Sequence, residues 1–184
     1  MLDLIIKNGK CYINGELKDV DIAIKDKKIH KIGQISEKAK EIIDATDHTV
    51  LPGCIDTQTH FREPGSTDTE DLHSGSRAAI AGGITSVFEM PNTNPPTSNK
   101  KEFQRKLDLA KNRMYCNYAF YFGATADNAD DLASLKDLEG CCGIKLFAGS
   151  STGNLLVAEE DDIDKVFQNA SKVVAVHSED EAIL

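Results

Sequence analysis

The sequence predicts an α/β fold in which a parallel sheet of strands alternates with helices, preceded by a small β-rich unit. Three observations carry this prediction. From Pro52-Gly53 onward the chain repeats a rhythm of short apolar run, polar loop and amphipathic segment, the pattern of βαβ units. The first 50 residues lack that rhythm and are cut into short strands by Asn-Gly turns. The polar residues suited to chemistry fall at or just past the C-terminal ends of successive strands, where parallel α/β folds place their sites.

The elements follow in order. Leu4-Ile5-Ile6, Cys11-Tyr12-Ile13, Asp21 to Lys25, Lys28 to Gly33, Glu41 to Ala45 and His48 to Leu51 read as strands. Their turns are Asn8-Gly9, Asn14-Gly15 and Asp26-Lys27. Cys54-Ile55-Asp56 opens the second region as a strand. Asp71 to Ala81 reads as a helix stopped by Gly82-Gly83. Ile84 to Met90 is the next strand, and Lys100 to Asn112 a helix with Ser98 as its cap. Tyr115 to Phe122, Cys142 to Phe147 and Val173 to His177 complete five strands, with helices over Asp130 to Leu138 and Asp161 to Asn169. Ser178 is placed to cap a following helix.

Composition removes several function classes. The 184 residues carry 21 Lys+Arg against 30 Asp+Glu, a net charge of −9, so no basic face for nucleic acid or an anionic membrane is expected. There is no Trp and aromatics are 6%, which leaves little for base stacking. MLDLIIKNGK does not read as a signal peptide, and no run approaches the roughly 20 apolar residues of a bilayer span. The five cysteines are odd in number, and four lie in apolar strand-like runs. They read as reduced, buried thiols of a cytoplasmic protein. No glycine-rich phosphate loop is present.

The candidate site residues begin at the end of the first barrel-type strand. In an extended chain Gln58, His60 and Arg62 share one face, with Asp56 beneath. A His beside an Arg suits a metal ligand next to an anion clamp, and a solvated loop His with a surface Arg is the plain alternative. Lys145 stands between Ile144 and Leu146, where a buried ammonium is costly. It either snorkels to a rim or is carboxylated by CO2 to a carbamate able to bridge divalent cations. His177 ends the fifth strand after four apolar residues, as a core His or a ligand. His30, His48 and His73 lack a strand-end setting. Together, His60, Lys145 and His177, at the ends of the first, fourth and fifth strands of this region, could hold a metal that activates water and polarises a carbonyl.

With these residues in place, the sequence resembles the amidohydrolase superfamily and, within it, the dihydroorotase family. The matching segments are Leu51-Pro52-Gly53-Cys54-Ile55-Asp56 leading into His60-Phe61-Arg62-Glu63-Pro64-Gly65, then Ala81-Gly82-Gly83-Ile84-Thr85 and Met90-Pro91-Asn92-Thr93-Asn94-Pro95. Gly143-Ile144-Lys145-Leu146-Phe147 and Val176-His177-Ser178-Glu179-Asp180 follow. The resemblance implies an incomplete TIM-like (β/α) barrel, about five of eight strands, since a whole one needs roughly 250 residues. Residues 1–50 would be the β-rich N-terminal unit of a composite sandwich and 51–184 the first βα units of the barrel. It implies His60, carboxylated Lys145 and His177 as metal ligands for one or two zinc or other divalent ions, with Arg62 and Asn92 holding a small anionic substrate. The implied reaction is reversible closure of N-carbamoyl-aspartate to dihydroorotate in pyrimidine biosynthesis.

Two departures qualify the resemblance. Gln58 stands where the family has the first histidine of its metal pair, and a neutral amide oxygen is a poor ligand for zinc. The general acid/base Asp is expected beyond Leu184, so no catalytic residue is assigned within the chain and the chain alone is expected to be inactive. Two other readings follow: a non-catalytic homologue that partners aspartate carbamoyltransferase, motivated by Gln58, and an allantoinase- or hydantoinase-like ring amidase. An open sheet edge also favours a homo-oligomer.

Overall fold

The computed structural model describes residues 1–150, 154–180 and 183. The chain divides into two compact units, Met1–Pro52 and Gly53–Leu184. Among the described residues no helix is long and apolar enough to cross a membrane.

The first unit holds seven strands: β1 (Leu2–Lys7), β2 (Lys10–Ile13), β3 (Glu16–Asp19), β4 (Asp21–Lys25), β5 (Lys28–Gly33), β6 (Ala39–Asp44) and β7 (Thr49–Val50). They form a four-stranded sheet ordered β5-β4-β1-β6 and a three-stranded sheet ordered β3-β2-β7. Two turns behave as their residues dictate. Asn14-Gly15 and Asp26-Lys27 all have positive φ, as two-residue hairpin turns require, and they join β2 to β3 and β4 to β5. Asn8-Gly9 does not make a hairpin, because β1 and β2 lie in different sheets. At that corner a Cβ on Gly9 would sit 2.7 Å from Val50 Cγ2 and 2.9 Å from Ala45 Cβ, so the close approach needs glycine. Leu2, Ile5, Ala23 and Ile35 form the core of the unit.

The second unit is a five-stranded parallel sheet: β8 (Cys54–Thr59), β9 (Ile84–Glu89), β10 (Asn117–Gly123), β11 (Cys141–Phe147) and β12 (Val174–His177). Its spatial order, β12-β11-β10-β9-β8, follows the sequence, so each crossover steps one strand in the same direction. That is the progression of a (β/α) barrel, and the unit is a half-barrel. The crossovers are α1 (Leu72–Ala81), α2 (Lys100–Ala110), a 3₁₀ helix (Ala126–Leu135) and α3 (Glu160–Asn169). Their apolar sides meet one face of the sheet. Phe103 of α2 packs on Phe120 and Phe122 at ring distances of 6.4 and 6.2 Å, within a core that includes Leu72, Val87, Leu132, Ile144 and Leu146. Each outer strand of the sheet has a single hydrogen-bonded neighbour, and each region keeps apolar side chains exposed, Ile55 on β8 and Val173 just before β12.

Several elements differ from expectation for identifiable reasons. The cap of α2 is Asn99, whose side chain accepts from the Glu102 N–H at 2.9 Å. The Ser98 carbonyl instead accepts from Asn128 Nδ2 at 2.8 Å. The third helix starts earlier than Asp130 because Thr125 and Asn128 form a capping box. Cys11, Cys116 and Cys141 are buried, but Cys54 is exposed, because β8 is an edge strand. The helix expected after Ser178 falls largely on residues 181, 182 and 184, which lie outside the described residues.

Candidate functional site

Parallel pairing brings the C-terminal ends of the five strands to one rim. Thr59 pairs with Glu89, Glu89 with Phe120, Gly123 with Lys145, and Phe147 with His177. His60 therefore follows β8, Asn92 lies in the loop after β9, and Lys145 and His177 sit near the ends of β11 and β12.

Gln58, His60 and Arg62 do not share one face of an extended chain along the whole segment. The register shifts between Asp56 and Thr59, β8 ends at Thr59, and Arg62 has a φ of 60°. The loop nevertheless joins Arg62 to Asn92, which line one cavity of about 430 Å³ with Ser66, Thr93 and Asn94. Asn92 also hydrogen-bonds the half-buried His60 side chain. The His60 imidazole is held below its ordinary pKa, first by burial and then by the Arg62 charge. The Asn92 bond opposes this, and Lys145 and Lys106 reinforce it. His60 is thus biased to the neutral form that can ligate a cation.

Lys145 does not snorkel. It is 4% exposed, and its ammonium lies 4.9 Å from the centre of the Phe147 ring. Burial pushes its pKa down, and no carboxylate among the described residues pairs with it. The His177 ring also lies 6.1 Å from the Phe147 ring. His177 Nε2 is buried without a hydrogen bond and faces Glu179 Oε1 at 3.3 Å. Gln58 is exposed; its backbone N–H donates to Asp56 Oδ1 at 2.9 Å, and no side-chain bond ties it to the other candidates.

Two charged pairs beneath this rim were not legible in the sequence. Glu63, 6% exposed, accepts Arg113 through two bonds of 2.7 and 3.1 Å and the Leu72 N–H at 2.9 Å. Lys106 and Glu89 form a fully buried pair at 2.6 Å, and Lys106 also donates to the Met90 carbonyl at 3.0 Å. Burial pushes the Glu89 carboxyl up to about 7, against the pull of Lys106. The same burial pushes Lys106 down. The only sequence signal was a Glu at the end of an apolar strand and a Lys on the packed face of a helix.

No group of three His, Cys, Asp or Glu able to hold a metal is present among the described residues. His60 and His177 offer two imidazole nitrogens, and Lys145 would become an anionic donor once carboxylated. On that condition the Lys145 side chain, with no carboxylate among the described residues paired to it, and the buried His177 Nε2 would fit a divalent ion.

The profile of the amidohydrolase family matches residues 49–178. A dihydroorotase of Methanosarcina mazei is 37% identical over 185 residues, covering 98% of this chain and 40% of the relative. An Escherichia coli allantoinase is 37% identical over 190 residues, covering 98% of this chain and 42% of its own. The solved L-hydantoinase (dihydropyrimidinase) of Arthrobacter aurescens superposes with a TM-score of 0.90 at 29% identity, over 100% of this chain and 42% of that one. The chain thus spans about two fifths of the length of the relatives it matches.

Proposed function

Since the chain belongs to the amidohydrolase family, we propose that it forms the metal-holding N-terminal part of a dihydroorotase-type hydrolase of cyclic amides. Residues 1–50 are the β-rich companion unit and 51–184 the first βα units of the barrel. His60, His177 and carboxylated Lys145 hold the cation, with Gln58 as a weak fourth donor. When bound, zinc or another divalent ion activates water and polarises a carbonyl. In carboxylation, the neutral Nζ attacks the carbon of CO2. The N–C bond forms, a C–O π pair moves onto oxygen, and the nitrogen gives up one proton to solvent water. Burial favours this step by lowering the Lys145 pKa, which enlarges the neutral fraction.

The observation that carries the substrate reading is that Arg62 and Asn92 line one cavity beside His60. A guanidinium there suits the carboxylate of dihydroorotate or N-carbamoyl-aspartate. Asn92 offers a donor and an acceptor to the ring amide. The resulting place is pyrimidine biosynthesis in the cytoplasm. An allantoinase reading has equal sequence support, because the dihydroorotase and allantoinase relatives share 37% identity with the chain. Allantoin and hydantoins carry no ring carboxylate for Arg62 to hold.

In the full-length enzyme, Arg62→Ala is expected to raise KM for dihydroorotate roughly 10- to 100-fold. That is the loss of a charge-assisted contact worth about 1.5–3 kcal/mol. Steady-state kinetics on dihydroorotate, allantoin and hydantoin checks it. A larger Arg62 effect on the uncharged rings than on dihydroorotate would reject the carboxylate reading.

A further inference from the structure

The segment after β8 alternates between residues that face the site and residues that are anchored. His60 and Arg62 are the site residues, whereas Phe61, Glu63 and Pro64 are buried. Phe61 packs against α1 so closely that a Cβ on Gly75 would collide with its ring. The Glu63 carboxylate is gripped by both terminal nitrogens of Arg113, 50 residues away, and by the Leu72 N–H at the start of α1. Arg113 also donates to the Leu109 carbonyl at 3.1 Å and approaches Asp71, the cap of α1, at 3.8 Å. The Pro64 carbonyl accepts the Asn94 N–H at 3.0 Å, which ties the segment to the loop that carries Asn92.

Arg62 lies between these anchors with a φ of 60°. That left-handed conformation is unfavourable for a residue with a Cβ and persists only where its surroundings impose it. We infer that Arg113, acting through Glu63, is a positioning residue that sets the backbone of Arg62 and aims its guanidinium into the cavity shared with Asn92. A bidentate Arg–carboxylate pair fixes orientation as well as distance, which a lysine in its place does not. The pair also keeps the Glu63 carboxylate engaged away from Arg62, its sequence neighbour, leaving that guanidinium for an external anion. This inference rests on the reading of Arg62 as the carboxylate clamp.

The test compares wild type, Arg62→Ala, Arg113→Met, Arg113→Lys and Glu63→Gln. Binding of N-carbamoyl-L-aspartate is followed by NMR titration, and the backbone of residue 62 by crystal structures. An Arg62 guanidinium no longer aimed at the ligand loses a charge-assisted contact, which weakens binding by roughly 10- to 100-fold. Arg113→Met is therefore expected to weaken binding roughly 10- to 100-fold, with Arg62 moved out of positive φ. Arg113→Lys should recover part of the affinity at most. Should Arg113→Met fail to fold, Glu63→Gln, which keeps the size of the side chain, is read in its place. Unchanged Arg62 backbone and unchanged affinity in the folded variants would overturn the inference. If wild type and Arg62→Ala bind the probe alike, the substrate reading fails instead, and the φ of residue 62 in the variants still decides the positioning role.

Discussion

Lys106→Ala is expected to destabilise the half-barrel unit by about 3–5 kcal/mol, the cost of leaving one member of a buried pair without its partner. The side chain is fully buried, its ammonium lies 2.6 Å from Glu89 Oε2, and it also satisfies the Met90 carbonyl. Alanine would leave the Glu89 carboxylate in an apolar layer beside the Phe120 ring, over which Lys106 sits at 5.3 Å. At roughly 2–4 °C per kcal/mol for a protein of this size, the unfolding midpoint should fall by about 6–20 °C. The pair Lys106→Met with Glu89→Leu separates charge from packing. Replacing both members by apolar groups of similar volume is expected to be neutral or stabilising by about 1–4 kcal/mol. Urea or thermal unfolding of the two variants checks both statements. A single variant as stable as wild type would show that the pair contributes nothing.

Lys145→Arg is expected to abolish carbamate formation, since a guanidinium has no free amine lone pair at accessible pH. The wild-type chain in 13C-labelled bicarbonate should give a carbamate resonance, and the variant none. Formation requires the neutral amine, and burial lowers the Lys145 pKa, so the signal should grow as pH rises and do so at lower pH than for an exposed lysine. Loss of this donor leaves two imidazoles, and the affinity for a divalent ion should fall by more than about 100-fold, beyond what loss of an outer partner costs. A carbamate signal that survives in Lys145→Arg would place the reaction on another amine.

The parallel half-barrel was legible because apolar runs such as Ile144–Phe147 and Val173–Val176 alternate with amphipathic segments, and because strand-end polarity marks one rim. β3 was not legible. Glu16–Asp19 is exposed at every position, so its strand has no buried face and no alternation, and it is specified by the Asn14-Gly15 turn alone. The rim residues His60, Lys145 and His177 stood out because each is polar at the end of an apolar strand. The conformation of Arg62 did not, because it depends on anchors at Gly75 and Arg113 that no local pattern connects to it. The Lys106–Glu89 pair was hidden for a related reason. A charged residue on an amphipathic helix reads as solvated until packing shows which face is covered.

On the proposed reading the rim would hold a divalent cation only when Lys145 has become an anionic ligand, since the described residues contain no ready triad of His, Cys, Asp or Glu. The most direct measurement is zinc binding by calorimetry on the purified chain, in buffer with bicarbonate and in CO2-free buffer, alongside Lys145→Ala and His177→Ala. Tight uptake is expected for wild type with bicarbonate, and strongly weakened uptake in CO2-free buffer and in both variants. Uptake that is indifferent to bicarbonate and to Lys145, or no uptake by wild type with bicarbonate present, would contradict it.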